Sequence, residues 1–156
     1  MLKTCLLILG LCAVSITALA HDFRQGDVVI ERPWSRPTPP GTPVGVGYMT
    51  IHNQGGEEVT LVGGETPRAG EVTIHETILS DGMMKMQPLP DGLTVPAGES
   101  VALKPQSYHL MLESLPEPLK EGEEVPLILI FEDQEIEIKL RVEHREPRAK
   151  SDHSSH

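Results

Sequence analysis

Residues 75–90, HETILSDGMMKMQPLP, gather a histidine and three methionines around an Asp-Gly pair. Imidazole nitrogen and thioether sulfur are both metal donors, so the first question is whether the chain can aim them at one point. In EVTIHETIL (71–79) the apolar Val72, Ile74 and Ile78 alternate with Glu71, Thr73, His75 and Thr77. A period of two is that of a strand with one buried face, and it turns His75 away from the core. Asp81-Gly82 suits the centre of a type I′ hairpin turn, which predicts the pairs Ser80 with Met83, Thr77 with Met86, and His75 with Pro88. His75 and Met86 then become diagonal cross-strand neighbours, with Cα atoms roughly 7–8 Å apart. Met84 falls on the same face and Met83 on the other, so this register does not choose between Met84 and Met86. Further on, SYHLMLES (107–114) alternates again: Tyr108, Leu110 and Leu112 on one face, His109 and Met111 on the other, exposed or at the rim. Two imidazoles and two thioethers are thus candidates for one N₂S₂ cluster.

The donor types indicate the metal. Thioether is soft and prefers Cu(I); Mg, Ca or Mn would want oxygen, and structural zinc normally recruits thiolate. The chain's two cysteines, Cys5 and Cys12, both fall in the first twenty residues. A mature chain without Cys has no disulfide and cannot build a His₂Cys blue-copper centre, which argues for carrying copper and against passing electrons. Taken singly, each ligand has an ordinary structural use, since Met fills core gaps and a strand His is commonly a surface polar residue. The pairing across a turn together with His-x-Met on an outward face is what sets the metal reading beside that ordinary one.

Elements must hold these residues in place. Pro and Gly recur every eight to twelve residues between short runs rich in Val, Ile, Leu and Thr, the rhythm of an all-β sandwich or barrel. The spacing predicts strands near 27–32, 46–52, 58–62, 71–79, 83–88, 100–104, 108–113, 125–131 and 135–142. RPTPPGTPVG (36–45) carries four prolines, which fix φ and remove donors, so it reads as a rigid extended loop. Residues 1–20, with Lys3, a short apolar run, and Ala18 and Ala20, read as a secretory signal peptide. Lipid anchoring at Cys12 ranks below simple cleavage, because Leu11 is bulky where processing wants a small residue. Residues 21–145 then form one domain, and 146–156 a polar, disordered tail. The expected mature protein is exported, soluble and monomeric, with no membrane span.

At the proposed ligands the chain resembles the periplasmic PCu(A)C family of copper chaperones, whose pattern is a His, ten residues, a Met, about twenty-one residues, then His-x-Met. His75 and Met86 have ten residues between them, and twenty-two separate Met86 from His109. HET stands where HEM is often found. The segments WSRPTPPGTPVGVGYMTIHNQG, DGMMKMQPL, VPAGESVALKPQSYHLML and PLKEGEEVPLILIFED also resemble the family, in order. The resemblance implies a cupredoxin-like Greek-key β-sandwich and one Cu(I) on His75, Met86, His109 and Met111. It also implies delivery to a cytochrome c oxidase subunit or another copper-assembly protein. The extra residue before His109 is expected to enlarge a loop.

Other histidines offer alternatives. His144, His153 and His156 in or beside the tail are candidates for a Cu(II) site, against a merely solvated tail. If cleavage follows Ala20, His21 becomes the N-terminus and could chelate Cu(II) through its amine and ring, as in copper oxygenases; a passive storage module is the third option. His52, Trp34 and Tyr108 read as structural. A net charge of −10 with no basic stripe argues against nucleic acid and anionic membranes. No nucleophile–base set, carboxylate pair or phosphate loop is evident, so the expected protein is not an enzyme.

Overall fold

The computed structural model describes residues 21–145. The described chain is all β: β1 (Phe23–Gln25), β2 (Val28–Ser35), β3 (Gly45–Asn53), β4 (Val59–Glu65), β5 (Glu71–Ser80), β6 (Met83–Pro88), β7 (Leu93–Val95), β8 (Ser100–Leu103), β9 (Tyr108–Glu113), β10 (Glu124–Phe131) and β11 (Glu135–Val142). Nine of these match expected strands, and β1 and β7, three residues each, were too short to show a period. The proposed signal peptide and tail lie outside the described residues.

Strand pairing runs β5–β9–β3–β2–β11–β10–β4, and a single β4–β5 pair, Gly64 with Val72, returns it to its start. The ring flattens into a cupredoxin-like β-sandwich. β8 pairs with the second half of β3 while β9 pairs with the first, and β1, β7 and β6 are appended to β2, β4 and β5. Alternation decides what faces inward. In β11 Ile136, Ile138, Leu140 and Val142 are buried between exposed Glu135, Glu137, Lys139 and Arg141. They join Val28, Ile30, Ile51, Leu61, Leu110, Leu112 and Leu129 in one core. Each such side chain contributes about 1.5–3 kcal/mol by leaving water.

One local irregularity moves an aromatic residue across the sheet. By parity with Val28 and Ile30, Trp34 would enter the core. The β2–β3 register shifts between Glu31 and Trp34, where Arg32 takes φ 45°. This bulge brings Trp34 opposite Tyr48 on the outward face, ring centroids 4.8 Å apart. Arg36 lies over both rings and Arg145 over Trp34, so the pair is buried beneath guanidinium groups, not beneath the core.

Candidate metal centre

The β5–β9 register sets His75 directly opposite His109 and Thr73 opposite Met111. In an antiparallel pair, opposed residues share a face, here the outward one, since Val72, Ile74, Leu110 and Leu112 occupy the core face. Asp81 and Gly82 both take positive φ, 52° and 75°, as a type I′ turn requires. The hairpin they close has the expected register: Ser80 with Met83, Thr77 with Met86, His75 with Pro88. His75 therefore stands between Met86 on one diagonal and Met111 on the other, with His109 at its side. The structure brings the four predicted residues to one face. The pairing of β5 with β9, whose partnered residues lie more than thirty positions apart in the chain, is what the local sequence pattern did not contain.

The imidazole rings are near parallel, tilted by 20°, with centroids 6.0 Å apart. His109 is not exposed or at the rim as its alternation suggested; it is 3% exposed. The reason is its position inside the ring: β5 flanks it on one side and β3 on the other. Val46 pairs with Met111, so Tyr48, two residues on, falls on His109's face as well.

Hydrogen bonds fix which nitrogen each ring presents. His109 Nδ1 lies 3.0 Å from the Ser107 carbonyl oxygen, which can only accept, so Nδ1 carries the proton. Its Nε2 is then an unprotonated lone pair, buried and without a partner. A buried polar atom left unsatisfied costs about 1–3 kcal/mol, and a metal ion is one thing that repays it. His75 Nδ1 lies 3.3 Å from Thr73 Oγ1. Burial, and then the neighbouring His109, hold the His75 imidazole below its ordinary pKa, with Glu113 acting weakly the other way. It is therefore the neutral ring, the form that binds metals, at neutral pH.

The sulfur donors differ in setting. Met111 is half-buried on the ring strand β9. Met86 is 62% exposed on β6, which pairs only with β5 and is exposed along its whole length. Leu79, Met83 and Met84 are exposed beside it. Met84 pairs with Leu79 and shares the face of Met86, but lies one step further from His75, which favours Met86 as the nearer donor. Among the described residues no three His, Cys, Asp or Glu side chains cluster as a metal site. An ion here would have to rely on thioether.

The other histidines are placed elsewhere. Both nitrogens of His52 are engaged, by Ser100 Oγ and Glu31 Oε2 at 2.6 Å, which fits a structural role. His144 is exposed, 3.8 Å from Glu121. His153 and His156 lie outside the described residues. His21 shares a hollow of about 230 Å³ with Phe23, Glu124, Lys139 and Arg141, two cations and no second imidazole, surroundings poor for a copper ion. Tyr108 is partly buried against the core, as expected of a packing residue.

Comparison with known proteins bears on fold and family. A protein of Leifsonia xyli subsp. xyli (strain CTCB07) named "Putative lipoprotein Lxx21020" is 31% identical over 131 residues, 81% of this chain and 78% of its own. The copper-bound PCuAC domain from PmoF2 superposes with TM-score 0.68 at 23% identity, covering 80% of this chain and 99% of that one. The Cu(I) form of DR1885 from Deinococcus radiodurans gives TM-score 0.58 at 32% identity, over 70% of this chain and 74% of that one. Among the described residues no helix is long and apolar enough to cross a membrane. Residues 28–142 match the family described as "Putative lipoprotein LpqE-like", so the chain belongs to the LpqE-like family and has the fold of PCuAC domains.

Proposed function

We propose that this protein is an exported copper chaperone that binds one Cu(I) through His75, Met86, His109 and Met111 and gives it to an acceptor, the copper centres of cytochrome c oxidase being the first candidate. The observation that carries this reading is the buried, partnerless Nε2 of His109 directly beside His75. Two imidazoles and two soft sulfurs suit Cu(I) and few other ions. Cu(I) bound to DR1885, a relative at 32% identity, supports the same cargo here. The lipoprotein names of the family and its relative support export, with residues 21–145 as the copper-binding domain and the periplasm as the location.

Chaperoning is favoured over storage and over catalysis by the setting of Met86. A ligand 62% exposed on an edge strand can give way to an incoming donor without opening the core. Transfer is then ligand exchange: the acceptor's donor replaces Met86, the ion keeps its charge, and His109 is the last to let go. No bond of a substrate is made or broken.

Anaerobic titration of residues 21–156 with Cu(I) against a coloured chelator tests the reading. One tight equivalent is expected, lost in the Met86→Ala, His109→Ala double variant. Equal binding by both proteins would rule the site out. A pH titration adds a second check. Because the folded-state value of His75 is lowered, its ring should protonate with a midpoint below 6.5 when followed by NMR. A proton then competes with Cu(I) for this ring only in more acidic solution, and a midpoint at or above 6.5 would contradict the geometry.

A further inference from the structure

We propose that Glu113, acting through Thr73, is a positioning residue that holds the His75 imidazole in the tautomer with Nδ1 protonated and Nε2 free. This inference rests on the copper site proposed above. Thr73 Oγ1 lies 3.0 Å from Glu113 Oε2 and 3.3 Å from His75 Nδ1. A carboxylate oxygen can only accept, so the single hydroxyl proton of Thr73 goes to Glu113. Oγ1 is left with lone pairs alone toward the ring, and only Nδ1–H can satisfy that contact. The neutral imidazole then carries its lone pair on Nε2.

The consequence is a matched pair. His109 is set in the same tautomer by a backbone carbonyl, and His75 by two side chains. Both rings thus offer Nε2 from directly opposed positions on β5 and β9. Thr73 lies on the His75 face of β5, and Glu113 continues the alternation of His109 and Met111 on β9. Orientation of a metal-bound imidazole by a carboxylate is a recurrent second layer of metal sites, and its loss typically costs 10–100-fold in affinity.

Thr73→Val keeps the shape and the β-branch but removes the hydroxyl; Thr73→Ser keeps the hydroxyl. In the ¹⁵N-labelled apo protein, residues 21–156, two-bond ¹H–¹⁵N correlations at pH 8 report the tautomer of each ring. The wild type and Thr73→Ser should show His75 with Nε2 unprotonated. Thr73→Val should shift His75 toward protonated Nε2 while His109 stays unchanged, and should weaken Cu(I) binding by about tenfold. Glu113→Gln, whose amide can donate and so reverse the direction of the Thr73 hydroxyl, should move the His75 signal the same way. Unchanged tautomer and affinity in Thr73→Val and Glu113→Gln would overturn the proposal. A wild type that shows the tautomer effect but binds no Cu(I) would sink the copper site and leave the positioning role standing.

Discussion

His109→Leu is expected to make the metal-free protein more stable while removing its capacity to hold Cu(I). The native ring is 3% exposed and its Nε2 has no partner, a desolvation cost of about 1–3 kcal/mol that leucine does not incur. The substitution gives up the bond from Nδ1 to the Ser107 carbonyl, but that oxygen keeps the Thr77 amide, 3.1 Å away. Leucine also suits a strand whose other face already packs Leu110 and Leu112. The net should be a gain of about 1 kcal/mol and a rise in Tm of a few degrees. Cu(I) affinity should fall by more than the roughly 10–100-fold associated with losing an outer partner, because a proposed direct ligand is gone. Thermal melts of the apo proteins and chelator competition measure the two arms. A destabilised variant would mean that His109 is an ordinary structural histidine.

Gly92→Ala should be among the most damaging single methyl additions in the domain. Gly92 precedes β7 with φ 85°, and a Cβ there would lie 2.4 Å from the Leu61 carbonyl oxygen. Two penalties combine. The left-handed conformation costs an alanine about 1–2 kcal/mol, and the clash is with backbone of β4, which cannot rotate aside. Leu61 is fully buried, so displacing it opens the core. A loss of about 3 kcal/mol and a Tm lower by ~10 °C are expected. Gly82→Ala is the internal control: φ is also positive, but no atom lies within 4 Å, so about 1 kcal/mol should be lost. Equal melting of the two variants would show that β7 does not depend on this close approach.

Local chemistry made part of this molecule legible before its coordinates. Asp81-Gly82 permits few turns other than type I′, and that turn alone sets the whole β5–β6 register and so the place of Met86. Alternation placed His109 and Met111 together for the same reason. What periodicity does not encode is which strand lies beside which. The meeting of His75 with His109 depends on β9 entering between β5 and β3, and so does the burial of His109. Trp34 escaped parity because a bulge at Arg32 adds a residue to one strand, an event a period of two cannot register. Thr73 was visible as an outward polar residue, but nothing in its spacing tied it, or Glu113 on the distant β9, to a ring nitrogen.

Three of the proposed ligands stand on strands paired on both sides, whereas Met86 stands on a ribbon anchored along one side only. A coordination sphere made of these four residues would be built of unequal hinges. Bending of the β5–β6 ribbon beyond its pairing with β9, which ends at Glu76, would move Met86 relative to His75, His109 and Met111. How easily that ribbon flexes would set how often the Met86 thioether is withdrawn from the other three proposed donors. Under the proposed function, stiffness of a hairpin, not strength of a ligand, would be the quantity on which selection could act to set the rate of delivery.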